Sequence, residues 1–414
     1  MSVSNLDEVL PVHSERGYPS SRKTSICSTV PPELLSLIFH HYLRTSTPYN
    51  PEKGQFLGQI CLAEDLLFVC KSWHDAATGD SSLWREIILD PEIARVTPYK
   101  SLHPYTKIRS IRSRAHLLHV SINNDPGWVG RPQYLKAFYH LISTMSRWER
   151  LFYYLKRHDT HSCITIRHLA IPTPHLRDVF IRSSTGALAD LSQTLPETPN
   201  LHFLDISVPD IGSLPPSFGK SVKIASLQIV GVQAWRNALS QLKNIHTLIL
   251  QPPHAMNVWP LIAGGPCLAL PSVRTVILIG PLKSWHFRLG SLDFPALQTF
   301  EVDLSPSGAE KQWSEARTGV QQLKRLLTAG LQRLILKSIR FDRWEDIVDI
   351  LQAANGTVGE VVCIDVTCTL PDGEGKNVEI DLSATLMQQG AVSSASPRAI
   401  LQTLLKKGGI EQSK

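Results

Sequence analysis

Apolar positions along this chain fall into two textures. Between residues 28 and 90 they recur at helical spacing, and from about residue 116 to 385 they cluster in short strand-like runs. In the stretch VPPELLSLIFHHYL, Pro32 suits a first helical turn and Glu33 favours the positive end of the helix dipole. Leu34, Leu35, Ile38, Phe39 and Tyr42 then form one broad apolar face. Thr45 to Gly58 reads as a loop from its Pro and Gly content. A second helix is expected over CLAEDLLFVCKSWHDAA, with Leu62, Leu66, Val69, Trp73 and Ala77 on one face and Gly79 as its stop. Asp80 or Ser81 can cap a short turn carrying Leu83 and Trp84, followed by the β-type run Ile87, Ile88 and Leu89.

The later runs share a template, L-x-x-L-x-L. Leu201/Leu204/Ile206, Ile245/Leu248/Leu250, Val273/Val276/Leu278, Leu297/Phe300/Val302 and Leu331/Leu334/Leu336 fit it. Anchoring on Val179, Leu204, Leu227, Leu248, Val276, Phe300, Leu334 and Val362 gives steps of 25, 23, 21, 28, 24, 34 and 28 residues. That is mostly the leucine-rich-repeat period of roughly 20–29 residues. One strand per unit buries three apolar side chains and cannot close a core alone, so stacked neighbours share the buried face. The expected fold class is α+β: an N-terminal helical module, then an irregular α/β solenoid with a curved, mainly parallel sheet. The competing reading is a run of ordinary α/β units in a compact domain; no Gly-rich nucleotide turn accompanies the strands.

The expected organisation is a disordered leader over 1–27, a helical domain over 28–90 and a linker or capping segment over 91–115. The repeat array covers 116–385, and 386–414 is a tail or a capping helix starting at Ser396-Pro397.

The residues flanking the second Leu of each template point away from the core by strand alternation. This nominates Asp178, Phe180, Arg182, Phe203, Asp205, Thr247, Thr275, Glu301, Asp303, Arg333 and Lys337 as a target-binding concave face. Their mixed charge suits a protein or peptide target, and few of them are expected to carry most of the energy.

Composition narrows the rest. The chain has 414 residues, 43% hydrophobic and 19% charged, so it is globular and too long for one ordinary core. The net charge of +6 is mild, with the signs interspersed over most of the length. The seven cysteines are odd in number and scattered, and no secretory signal precedes them. Reduced thiols in the cytoplasm or nucleus are expected. The longest uncharged stretch, Gln251 to Val273, is broken by five prolines and a Gly pair, which argues against a membrane helix.

Candidate chemistry is sparse. His158, His161 and Cys163 have metal-like spacing without a second ligand cluster, so no metal or cofactor is expected. Cys363 and Cys368, five apart in a strand, are expected on opposite faces. Asp372 to Lys376 lacks the spacing of a phosphate loop. Lys107, Arg109, Arg112 and Arg114 form the one dense basic run, read as a solvated linker or capping helix. Nucleic acid is the sharper alternative, disfavoured because no aromatic stacking platform is interleaved. No catalytic motif stands out, so an enzyme is not expected.

Pro31-Pro32-Glu33-Leu34-Leu35, Ile38-Phe39, Val69-Cys70 with Trp73, and Leu83-Trp84 together resemble the F-box-like proteins abundant in mushroom-forming fungi. The later phrases PNLHFLDIS and FPALQTFEV look like the leucine-rich regions of that family. The specific motifs cover about 60 residues and the array matches loosely. This chain departs from the pattern in carrying His74 where a basic residue often follows the Trp, and in its long loop from Arg44 to Ile60. The resemblance implies the substrate receptor of an SCF-type (cullin-RING) ubiquitin ligase, a non-catalytic subunit. The helical module would bind a Skp-type adaptor, and through it a cullin, while the repeats choose a protein target. Carried over residue by residue, Pro32, Leu34, Leu35, Ile38, Val69 and Trp73 would form the adaptor interface or its supporting core. The alternative is an interaction scaffold of the same build that takes no part in ubiquitination.

Overall fold

The computed structural model describes residues 30–46, 62–124, 130–155, 168–183, 197–208, 210–229, 232–251, 267–280, 292–304, 330–341, 343–371, 377–384 and 394–407, together with 49–50, 55–56, 127, 187–188, 191, 195 and 327. The leader, the His158/His161/Cys163 group and the Asp372 to Lys376 turn lie outside the described residues.

The chain is an α+β protein built on one extended, largely parallel sheet. Three helices come first: α1 (Pro32–Ser46), α2 (Ala63–Leu66) and α3 (Lys71–Gly79). The sheet strands are β1 (Glu86–Leu89), β2 (Leu118–Asn124), β3 (Trp148–Leu155), β4 (Asp178–Ser183), β5 (Phe203–Val208), β6 (Ile224–Ile229), β7 (Thr247–Leu250), β8 (Thr275–Ile279), β9 (Thr299–Asp303), β10 (Arg333–Phe341) and β11 (Glu360–Pro371). Every one of these pairs in parallel with the next in the chain. Two antiparallel strands, β12 (Asn377–Asp381) and β13 (Ser394–Ala395), close the C-terminal end on β11. Spatial order follows chain order without reversal, so the switch point of a doubly wound sheet does not occur.

The register explains why this sequence stacks. Ile87, Val120, Leu151, Val179, Leu204, Ala225, Leu248, Val276, Phe300, Leu334 and Val361 stand opposite one another across eleven strands, and all are fully buried. A second buried row runs from Leu89 through Ile122, Tyr153 and Ile181 to Leu336 and Cys363. Two template anchors therefore move. Leu227 belongs to the second row, opposite Ile206 and Leu250, and Ala225 takes its place. Val361 rather than Val362 faces Leu334. A small Ala at a core position hides the repeat from a pattern that looks for bulk.

The strand over 360–371 also corrects the cysteine placement. Pairing skips from Lys337↔Ile364 to Ile339↔Val366 at unchanged register, leaving Ser338 (φ 51°) and Asp365 (φ 53°) as an extra left-handed residue in each strand. This paired irregularity reverses the alternation in both strands, so Cys363 and Cys368 both point into the core. Burial, and then Cys368 beside it, pushes the Cys363 thiol up to about 12.

Residues 91–115, expected as a linker or a capping segment, are largely helical. Asp90 accepts from the Glu92 N–H at 2.8 Å and Pro91 opens α4 (Pro91–Val96), followed by α5 (Leu102–Arg112), which returns the chain from β1 to β2. Pro132 opens α6 (Pro132–Ile142), packed beside α5. The first strand of the sheet thus lies within 28–90, so the helical segment and the array share a boundary unit. At the other end α9 (Trp344–Ala354) and α10 (Pro397–Lys407) pack together after α7 (Pro216–Ser221) and α8 (Val232–Gln241). Ile400 and Leu404 are fully buried, which makes 397–407 a cap rather than a loose tail. Among the described residues no helix is long and apolar enough to cross a membrane.

Candidate functional site

Two surfaces bear on function. The first is the helical segment before β1. Leu35, Phe39, Ala63, Leu66, Ala77, Leu83 and Trp84 close a small core of their own, with Trp73 half-buried against the Phe39 ring at 4.9 Å. The expected second helix is broken. Leu62 N–H donates to Asp65 at 2.8 Å and starts α2, which stops at Leu66; a turn follows, and α3 starts at Lys71. Four consecutive apolar residues, Leu66 to Val69, cannot all lie on one buried helical stripe, and the break turns Phe68 and Val69 outward.

Asp80 ties the segment together. It accepts from the Ser82 N–H at 3.0 Å and from the Ser36 hydroxyl, and its carboxylate lies 3.4 Å from His40. Partial burial works against its charge. The hydrogen bonds from Ser36 and Ser82, with His40, outweigh that and hold the carboxyl below its ordinary value.

What remains outside is apolar. Of the eleven large apolar side chains that stay exposed among the described residues, six lie here: Leu34, Leu37, Ile38, Tyr42, Phe68 and Val69. The first four form a stripe on α1 that flanks the buried Leu35 and Phe39. Of the adaptor residues nominated from sequence, Pro32, Leu34, Ile38 and Val69 are exposed, while Leu35, 2% exposed, and Trp73 support from below. Leu37 and Phe68, 65% and 66% exposed, were not singled out. The signal for both was the excess of apolar residues over what one helical face can bury.

This segment is locked to the array by an ion pair that no pattern announces. Arg109 on α5 donates from Nε and Nη2 to the two Glu64 oxygens at 2.9 and 2.6 Å, and from Nη1 to the Glu86 carbonyl at 2.6 Å. Both side chains are almost fully buried. Arg109 also lies over Tyr105 and Trp84, and Arg112 stands 4.4 Å over the Trp84 ring. Burial opposes the Arg109 charge, but the Glu64 carboxylate more than compensates and holds its pKa above the ordinary range. Of the basic run, Arg109 is therefore internal and Arg112 partly buried. Lys107 and Arg114 are exposed.

The second surface is the sheet face opposite the core. It is half-buried rather than open, because neighbouring strands stand side chain against side chain. Phe180 stacks on Phe152 at 4.2 Å and meets Phe203 at 5.2 Å. Asp178 pairs with Arg150 at 2.7 Å beside them. Arg182 and Asp205, expected to point freely outward, are buried and paired at 2.6 Å. These five nominated residues form one cluster. Thr247 and Thr275 stand opposite each other, next to Thr299. Glu301 binds Lys337 at 2.5 Å, Asp303 stands opposite Lys337, and Arg333 pairs with Glu360 at 2.9 Å. The nominated residues thus fall into two ionic groups separated by a threonine row.

Among the described residues no group of three or more His, Cys, Asp or Glu side chains is placed to hold a metal ion. The chain matches no protein-family model, and no curated protein matches it.

Proposed function

We propose that this chain is a substrate-recognition subunit of an SCF-type ubiquitin ligase. In this reading the helical segment is an F-box-like module, the parallel array is a leucine-rich-repeat-type solenoid, and the protein itself catalyses nothing. The observation that carries the reading is the crowding of six exposed apolar side chains onto a segment whose own core is already closed. A surface of that kind has a partner as its ordinary explanation. Each side chain is already about half covered, so a partner gains about 1 kcal/mol from each, a contribution that further contacts must supplement against association costs. Apolar adaptor docking through α1 and the α2–α3 turn fits this surface, and the Phe180 cluster on the sheet face supplies an anchor for a protein target. The resemblance in Pro31–Leu35, Ile38-Phe39, Val69-Cys70 and Leu83-Trp84 supports the same assignment.

The test is co-purification and calorimetry with a Skp-type adaptor. Leu37→Asp and Ile38→Asp are expected to abolish the complex while leaving thermal unfolding unchanged. Leu35→Asp is not informative, because Leu35 is in the core. A well-folded wild-type chain that binds no adaptor at micromolar concentration overturns the assignment.

A further inference from the structure

Charge in this chain is segregated at one place. Residues 93–148 hold nine of its 42 basic residues and only one of its 36 acidic ones, a local excess of eight where the whole chain has six. The fold then sorts these cations. Arg109 and Arg112 turn inward as described, and Arg147 donates to the Ser110 and His116 carbonyls at 3.1 and 2.8 Å. Lys107 on α5, Arg114 just past its end and Lys136 on α6 stay exposed, and none of them makes an ion pair with a described carboxylate.

The two helices bring these groups together. The His103 and His140 rings are 6.1 Å apart, and the Ser110 hydroxyl meets His140 Nε2 at 2.7 Å. Burial first, and then the charges of Lys107 and Lys136, hold the His103 pKa below its ordinary value. Apolar side chains are interleaved. Ile111, 43% exposed, follows Lys107 by one helical turn, and Tyr139, 48% exposed, follows Lys136 by three residues.

We propose that the exposed face of α5 and α6 docks an acidic segment of a protein partner, one in which Asp or Glu alternates with apolar side chains. Its carboxylates would face Lys107, Arg114 and Lys136, and its apolar groups would rest on Ile111 and Tyr139. Nucleic acid fits less well. Three arginines of this region, the residues best shaped to clamp phosphate, are already committed internally. Tyr139 packs edge-on against Phe138 and His168, so among the described residues of this face no row of free aromatic rings faces outward. The proposal does not depend on adaptor docking.

The experiment titrates the full chain into a labelled peptide of Glu interspersed with Leu and Phe. The same peptide with Gln for Glu, oligothymidylate, and phosphatidylserine vesicles are the comparisons. The Glu peptide is expected to bind, the Gln peptide to bind at least about tenfold more weakly, and the affinity to fall as salt is raised. The pair Lys107→Glu, Lys136→Glu is expected to weaken binding by about tenfold or more with thermal unfolding unchanged. If that pair impairs folding, Lys107→Gln with Lys136→Gln is read instead and is expected to weaken binding severalfold. Equal binding of the Glu and Gln peptides, or equal binding by the folded variants, overturns the proposal. So does tighter binding of oligothymidylate or of vesicles through the same lysines.

Discussion

The residue with the largest structural consequence is Arg109. Its guanidinium has three acceptors within 2.9 Å and two aromatic faces around it, and two of those acceptors are the Glu64 oxygens. A buried pair of this kind contributes little net stability against an apolar pair of equal volume, but removing one partner strands a charge. Glu64→Gln is therefore expected to cost about 3–5 kcal/mol in urea unfolding, and Glu64→Leu combined with Arg109→Met to recover most of it. A double variant as unstable as the single one contradicts this account. Neither residue was legible as a pair, since 45 positions separate them and each reads from its neighbours as a solvated helical charge. Cys363 and Cys368 failed for a related reason. Strand alternation predicts opposite faces, and only the left-handed Ser338 and Asp365, both ordinary polar residues in sequence, reverse the phase.

At the scale of elements, periodicity was a good guide where one face is buried and a poor one where an element ends. The α1 stripe and ten of the eleven parallel strands were readable from spacing in the array or from the Ile87–Leu89 run, because each presents a short apolar run. Trp148–Leu155 completes that set as an aromatic-rich run rather than a template match. The break between α2 and α3 was not readable, because Leu66 to Val69 continues the apolar pattern through the turn. Packing of consecutive units is set by backbone approach as well as by leucines. Gly219, in α7, has the Gln241 carbonyl where a Cβ would stand, well inside contact distance. Gly219→Ala must push α7 away from the end of α8, and is expected to cost about 1–3 kcal/mol, read as a fall in the thermal midpoint. Gly79 and Gly130 have nothing near the corresponding position, so alanine there is expected to leave stability within about 0.5 kcal/mol of wild type.

For the whole molecule, stability against acid follows from where its perturbed groups sit. His103, His119 and His140 all belong to the first three strand units, and burial is the largest cause holding each below the ordinary value of 6.5. His119 also has Arg85 and Arg150 against it, partly offset by Glu149 at 3.1 Å. A histidine with a depressed pKa binds fewer protons folded than unfolded. Its neutral form costs nothing above pH 6.5, and stability is lost as pH falls from 6.5 through the lowered folded value. Asp80 and Glu149 add a second loss in the same direction. Their pKa values are lowered despite burial by the hydrogen bonds they accept, so their contribution is present above 4.5 and disappears as they protonate in the fold. All five groups lie before residue 150, and the parallel strands pair only with their neighbours in the chain. Acidification should therefore loosen the N-terminal third first. Hydrogen exchange at pH 7 and pH 5.5 is the measurement. Amides of β1, β2, α5 and α6 are expected to lose protection at the lower pH while β7 to β10 keep theirs, and uniform loss along the sheet would show that the buried histidines do not set the acid response.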